Sequence, residues 1–490
     1  MITRGGNTAI KKTAKTKGLV DLNLILRILI LLIFIFTWYA YNIKGDNEYI
    51  NKTSIWLGSL MAFELYIFLL VEKKRRDPFI ILLCVQCVFY FLLRILTLSL
   101  YPFSLAFKRF NFNSHDLNYA IFFIIVANIA LFFGFYVNKV KSIKFTDVDK
   151  IYPTKQHYVF LIYLFGLLMS FPSTMGLAPI EWFMTFIGSL FVDFYIIILM
   201  IIIYLFLFKR RIKYLYKFLL ISALIFFVVL HTLVGSRGAM LMVFYFIIFA
   251  LLSINGFIKV KKGILLSSLF VFPIMIIVFI ISTYLRPRLE ERSKVNNETI
   301  EVLKEFDLKE TFKNNSEIIL SPIFDRIGYL DYGAELIAHK EIYDPIFTYK
   351  YYTMSFIDNI FTPGFDIFNI PKISNSQKFV YNNEGTPMKS KVSEAYQSDE
   401  FTLYGEFYIA FGKWFSLIPI FLLAFFLKRV YVKLAGKNIF ELCIKRSIVL
   451  MIFFYFIQSY GIDWIASISL GFIVTYFTFK SFFKFENSNI

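Results

Sequence analysis

Apolar residues along this chain neither alternate in twos nor mark a single face. They come as near-unbroken runs separated by short polar or basic connections. The runs fall near 22 to 43, 53 to 71, 78 to 99, 117 to 137, 157 to 172, 187 to 208, 216 to 234, 237 to 254, 264 to 284, 406 to 427, 443 to 460 and 464 to 480. Hydrocarbon offers backbone N–H and C=O groups no partner, so runs of about twenty residues predict spanning α-helices. The pattern predicts an all-α polytopic membrane protein with about twelve transmembrane helices.

One connection breaks the rhythm. Residues 285 to 405 separate the ninth run from the tenth, opening with a charged helical stretch from Arg286 to Asn314 and continuing with a second from Ile318 to Glu341. From Tyr343 onward Pro345, Pro363, Gly364, Pro371 and Pro387 predict irregular chain with short helical turns. The expected division is a basic tail over 1 to 21, helices one to nine over 22 to 284, a large, partly helical loop over 285 to 405, helices ten to twelve over 406 to 480, and a tail over 481 to 490.

Charge orients this arrangement. Basic residues gather in alternate connections: the N-terminal tail, Lys73 to Arg76, Lys139 to Lys155, Lys209 to Lys217, Lys259 to Lys262, Lys428 to Lys437, and Lys480 with Lys484. The positive-inside rule places these, and both termini, in the cytoplasm. The connections 173 to 186 and 461 to 463 have no Lys or Arg and fall outside, together with 285 to 405. The net charge of +18 is therefore a topology signal and not a nucleic-acid footprint. The cytoplasmic connections are too short for a nucleotide-binding domain, and no phosphate-loop motif occurs, so chemistry is expected outside. Lys11, Lys12, Lys15 and Lys17 precede a first run with no cleavage site after it, which reads as a retained span.

Cys84, Cys87 and Cys443 all lie in expected spans and read as packing residues. Glu64, Arg94 and Asp193 lie in spans at a cost that demands water, a partner or a cavity. Arg94 is near an outer end and able to snorkel. Glu64 is near mid-membrane, where a single interhelical hydrogen bond is the plainer role and a polar pathway the sharper one.

Several residues suggest chemistry. Gly235-Ser236-Arg237-Gly238 turns the chain between two short runs; Phe218 to Val234 rises only about 26 Å, so the turn sits within the outer leaflet. Arg237 beside a helix N-terminus suits a diphosphate, or else snorkels to headgroups. Arg286, Arg288 and Arg326 place further positive charge outside, suiting an anionic substrate or plain solvation. Asp331, Glu335 and His339 share one helix face at four-residue spacing, which reads first as a solvated face and second as a source of a general base. Glu406 enters an aromatic stretch where the tenth run begins, and is the other candidate base.

The Gly235-to-Gly238 turn between short spans, the large outer loop before the last spans, and Gly405-Glu406-Phe407-Tyr408-Ile409-Ala410-Phe411-Gly412 together make the chain resemble the Wzy-type oligosaccharide repeat-unit polymerases. The resemblance implies a glycosyltransferase of the bacterial cytoplasmic membrane. It would move a growing glycan from undecaprenyl diphosphate onto a new lipid-linked repeat, beside a flippase and a chain-length regulator. It implies arginines at the leaving diphosphate: Arg237 by motif, and Arg286, Arg288 and Arg326 by position. Glu406 or His339 would then be the base, with no metal or cofactor and no nucleic acid. Asp46 and Glu48 leave open a metal-binding pair in the first outer loop. An O-antigen ligase shares the architecture, a lipid-linked oligosaccharide flippase shares the span number, and a non-catalytic receptor or structural protein is the remaining class.

Overall fold

The computed structural model describes residues 19–75, 77–100, 112–137, 328–340, 402–434 and 439–458, with short pieces at 152–153, 259–261 and 485–486 and scattered single positions. Arg237, Arg286, Arg288, Arg326, Asp193 and the side chain of Cys443 lie outside the described residues, as do the runs expected near 157 to 172, 187 to 208, 216 to 234, 264 to 284 and 464 to 480.

Among the described residues the protein is mostly helical, and four helices are long and apolar enough to cross a membrane. They are α1 (Leu22–Lys44), α2 (Lys52–Arg75), α3 (Pro78–Leu100) and α4 (Ser114–Val137). The end of the bundle that holds the 45–51 turn is termed outer, as the charge pattern assigns it. Asp21 starts α1 by accepting the N–H of Asn23 at 3.1 Å, and Gly45 ends it at φ +74° by donating its N–H to Tyr41. Leu26, Ile30, Ile33, Thr37 and Ala40 face inward on α1, while Leu24, Ile28, Leu31, Ile35 and Ile43 face out. Water would not tolerate so continuous an apolar outer face; acyl chains do. Some 83% of the apolar window of α3 is buried against 28% for α1, so α3 is the axis of the bundle and α1 its rim.

Polar groups fix the helix ends. At the outer end Ser54 donates to Asn118 at 2.6 Å, Asn118 donates to Asn51 at 3.1 Å, and Asn51 donates to Ser114 at 3.1 Å, tying the start of α2 to the start of α4. At the inner end Asp77 caps α3 and forms an ion pair with Lys428, both buried. Lys428, counted from sequence among the cytoplasmic loop charges, is thus held inside the protein at that end.

The later described helices are α5 (Tyr329–Ala338), α6 (Leu403–Phe411), α7 (Leu417–Lys433) and α8 (Ile439–Gln458). The run expected as one span from 406 to 427 is therefore two helices, broken at Gly412, which adopts φ +80°. Tyr404 touches Asn128 whereas Tyr408 packs on Tyr119 and Phe123, so α6 climbs toward the outer end against the descending α4. Trp414 then meets Phe122, and Phe421 and Ala424 meet Gly134, so α7 descends beside α4. Hydropathy cannot see this reversal, because both limbs are apolar. Its charged mark is Lys413, whose ammonium lies 4.3 Å from the ring centre of Tyr119 at the top of the turn.

α4 and α7 approach so closely that a Cβ on Gly134 would lie 2.7 Å from the carbonyl oxygen of Phe421 and from the Cβ of Ala424. Backbone cannot yield as a flexible side chain does. Gly134→Ala is expected to part the two helices and cost about 1–3 kcal/mol despite alanine's better helix propensity. Thermal unfolding of the purified protein in detergent checks this; an unchanged midpoint would contradict the contact.

Two short antiparallel strand pairs also form. β1 (Leu19–Asp21) pairs with β3 (Lys259–Lys261), and β2 (Tyr152–Pro153) pairs with β4 (Phe485–Glu486).

Candidate functional site

A helix from the segment between the ninth and tenth runs is sunk into the bundle. Tyr329, Leu330, Asp331, Tyr332, Ala334, Glu335 and Leu336 of α5 are all buried. This helix lies against the outer half of α4, where Gly333 comes within van der Waals reach of Ala120, and against α3, where Tyr329 packs on Tyr90 with ring centres 4.5 Å apart. Tyr90 belongs to a π-helical turn, Val88–Leu92, within α3. Such a turn inserts a residue into the helical register and re-aims the side chains around it. Here Tyr90 meets α5 while Phe91 meets Tyr404 of α6.

Arg94 fastens α5 in place. Its Nε lies 3.0 Å from each carboxyl oxygen of Asp331, and Nη2 donates to Oδ2 as well. Both residues are fully buried, and they stand 237 positions apart in sequence. Burial pushes the Asp331 carboxyl above the usual carboxylate range, and the Arg94 guanidinium pulls it the other way. Tyr49, in the turn between α1 and α2, is raised by burial and by the acidic Glu48 and Asp331, so that turn overlies the pair.

Two expectations are corrected here. Asp331, Glu335 and His339 do not form a solvated face: the two acids are buried and only His339 is partly exposed. The face read as polar is turned toward the spans because Arg94 waits there for a carboxylate. Arg94 for its part does not snorkel to the headgroups. Four residues on from Asp331, Glu335 Oε1 lies 3.5 Å from His339 Nε2, a pair that becomes ionic when the imidazole is protonated.

Glu406 sits on α6 and is buried. The helix starts deep, with Thr402 capping it by accepting the Gly405 N–H. Tyr404, half a turn before Glu406, donates to Asn128 at 2.6 Å. Glu406 therefore lies inside the bundle and not at an aromatic membrane boundary. Between α5 and α6 runs a crevice lined by Gly333, Leu336 and Ile337 on one side and by Thr402, Tyr404, Gly405 and Tyr408 on the other, with α4 as its back wall. Lys340 lies over the Tyr408 ring at 5.8 Å, on the outward side of these residues.

The structure thus brings the helices bearing Glu335, His339 and Glu406 against one crevice. Carboxyls in so apolar a setting are suited to proton transfer. Sequence reading missed Tyr404, Asn128 and the partner of Arg94. A signal for the last existed, since an arginine inside a span requires a counter-charge, and Asp331 lies in the otherwise apolar Tyr329-Leu330-Asp331-Tyr332-Gly333-Ala334. Asp46, weighed as part of a metal-binding pair, accepts the Tyr41 hydroxyl at 2.7 Å. Comparison of the chain with protein-family models, with curated proteins and with solved structures finds no match.

Proposed function

We propose that this membrane protein polymerises lipid-diphosphate-linked oligosaccharide repeats at the outer face of the bacterial cytoplasmic membrane. It would do so as a twelve-span glycosyltransferase with cytoplasmic termini and its 285-to-405 segment outside. The observation that carries the reading is the sinking of α5 and α6 into the outer half of the bundle. That arrangement sets the two helices that carry the buried Asp331, Glu335 and Glu406 on either side of one crevice. Short motifs support it: the Gly235-to-Gly238 turn and the stretch from Gly405 to Gly412.

In this mechanism the acceptor hydroxyl oxygen bonds to the anomeric carbon of the donor glycan as the bond from that carbon to the diphosphate oxygen breaks. The hydroxyl proton passes to Glu406, or to His339 in its place. Arg237, Arg286, Arg288 and Arg326 hold the leaving diphosphate, whose growing charge the guanidinium groups neutralise. The carrier leaves as undecaprenyl diphosphate.

Deleting the gene and restoring it as wild type or Arg237→Ala, at matched membrane abundance, tests the proposal. Surface glycan carrying a single repeat in both the deletion and the variant is the expected result. Accumulated lipid-linked polymer would assign a ligase, trapped inner-leaflet single repeats a flippase, and an unaltered ladder would exclude all three.

A further inference from the structure

We propose that Glu64 is an exchangeable proton-binding site, buried among α2, α3, α4 and α6 and set behind the crevice by one amide and one phenol. Glu64 lies at the middle of α2, 92% removed from solvent by its 8% exposure. Among the described residues neither of its carboxyl oxygens makes a hydrogen bond of full geometry. The polar group close enough to act on it is Asn128 of α4.

The hydrogen bonding around Asn128 explains why a polar group stands there. Its Oδ1 accepts the Tyr404 hydroxyl at 2.6 Å and lies 3.5 Å from the Cys87 sulfur, so two hydrogens converge on that oxygen. The amide Nδ2, buried and without a partner, is left over as a donor. A carboxylic acid supplies what this amide lacks, an acceptor, and it does so without a charge.

The titratable groups within electrostatic reach of Glu64 are the thiols of Cys84 and Cys87 on α3 and the phenol of Tyr404 on α6, all uncharged in their ordinary state. On the same helix Glu72 is committed to Asn23, and the nearby cation of α1, Arg27, lies 6.0 Å over the Tyr66 ring. Among the described residues no counter-cation acts on Glu64. An isolated carboxylate in such surroundings costs far more than the proton that neutralises it, so the site takes up a proton. The Glu64 carboxyl faces the Asn128 amide without a hydrogen bond of full geometry, so no second partner locks its proton in place.

From Glu64 the polar groups run through Asn128 to Tyr404, which lines the crevice. The proton is thereby stored next to the surface where, on the polymerase reading, an acceptor hydroxyl gives one up. The site itself does not depend on that reading.

Infrared difference spectroscopy of the full chain in lipid nanodiscs tests the proposal without any glycan. The spectrum of wild type minus Glu64→Gln isolates this carboxyl from Asp331, Glu335 and Glu406. Expected is a protonated-carboxyl C=O band at neutral pH that shifts in D2O. Carboxylate bands at neutral pH, or a protonated band that does not shift in D2O, would overturn it. Should the variant fail to accumulate, dicyclohexylcarbodiimide, which adds a buried carboxylic acid across its C=N bond, is applied to the wild type. An N-acylurea on the Glu64 peptide supports the site, and its absence overturns it.

Discussion

Arg94→Leu and Asp331→Leu, made singly, are each expected to lower the stability of the protein by about 3–5 kcal/mol, because each strands a buried charge with nothing opposite. Made together they are expected to restore wild-type stability or to exceed it by about 1–4 kcal/mol, since two leucines in contact carry no desolvation cost. The asymmetry follows from the burial of both partners and from the raised Asp331 carboxyl, which shows desolvation outweighing the pull of the guanidinium. The sign with pH also follows. A carboxyl whose folded pKa is raised binds its proton more tightly in the folded state. Its contribution is then greatest below the unfolded value and is lost as pH rises through the folded one. Arg94→Leu, lacking the opposing cation, is therefore expected to be most stable in acid and to weaken toward neutrality. Unfolding midpoints in detergent across that range measure all three variants. Equal, additive losses in the singles and the double would mean that the pair is not coupled. Arg94→Asp with Asp331→Arg, which reverses the pair, should recover more than either half alone. If the double-leucine protein is stable but makes no polymer, then the charge serves to set the position of α5 rather than to hold the fold together.

The helical class was readable because its cause is local: a run of apolar side chains forces its own backbone to bond within itself. The four spans from Leu22 to Val137 follow that logic, to within a few residues at their ends. What escaped reading was long-range and depended on depth. Hydropathy from 403 to 433 is nearly uniform, so nothing local announced that Gly412 turns the chain back and makes α6 a half-helix. Asp331, Glu335 and His339 have the spacing of a solvated face in any sequence; that the face turns inward is decided by Arg94, 237 positions away. Glu64 was legible as a costly residue, but its setting beside the Asn128 amide could only be seen once α3, α4 and α6 were packed around it. The arginines expected at the diphosphate, Arg237 foremost, lie outside the described residues and rest on sequence pattern alone.

On the proposed polymerase reading, the acid that takes the acceptor's proton should separate from the one that anchors α5 when stability and turnover are measured on the same proteins. Glu406→Gln keeps the size of the side chain and most of its hydrogen bonding but removes the proton acceptor. It is expected to slow polymerisation of lipid-linked repeats in membranes by about 10²–10⁴-fold while moving the unfolding midpoint little. Asp331→Asn should do the reverse in kind, losing stability first and activity only as α5 comes loose, because its partner is a buried arginine and not the substrate. His339→Ala is expected to cost less than Glu406→Gln, since the imidazole is partly exposed and its pairing with Glu335 spans 3.5 Å. The pH profile makes the assignment sharper. A base must be ionised to work, so wild-type activity should rise with pH on its acid limb, and that limb should vanish with the residue that produces it. Its disappearance in Glu406→Gln assigns the base to α6. If it vanishes instead in His339→Ala, the base is on α5, and Glu406 is left as a carboxyl that positions the half-helix beside the crevice.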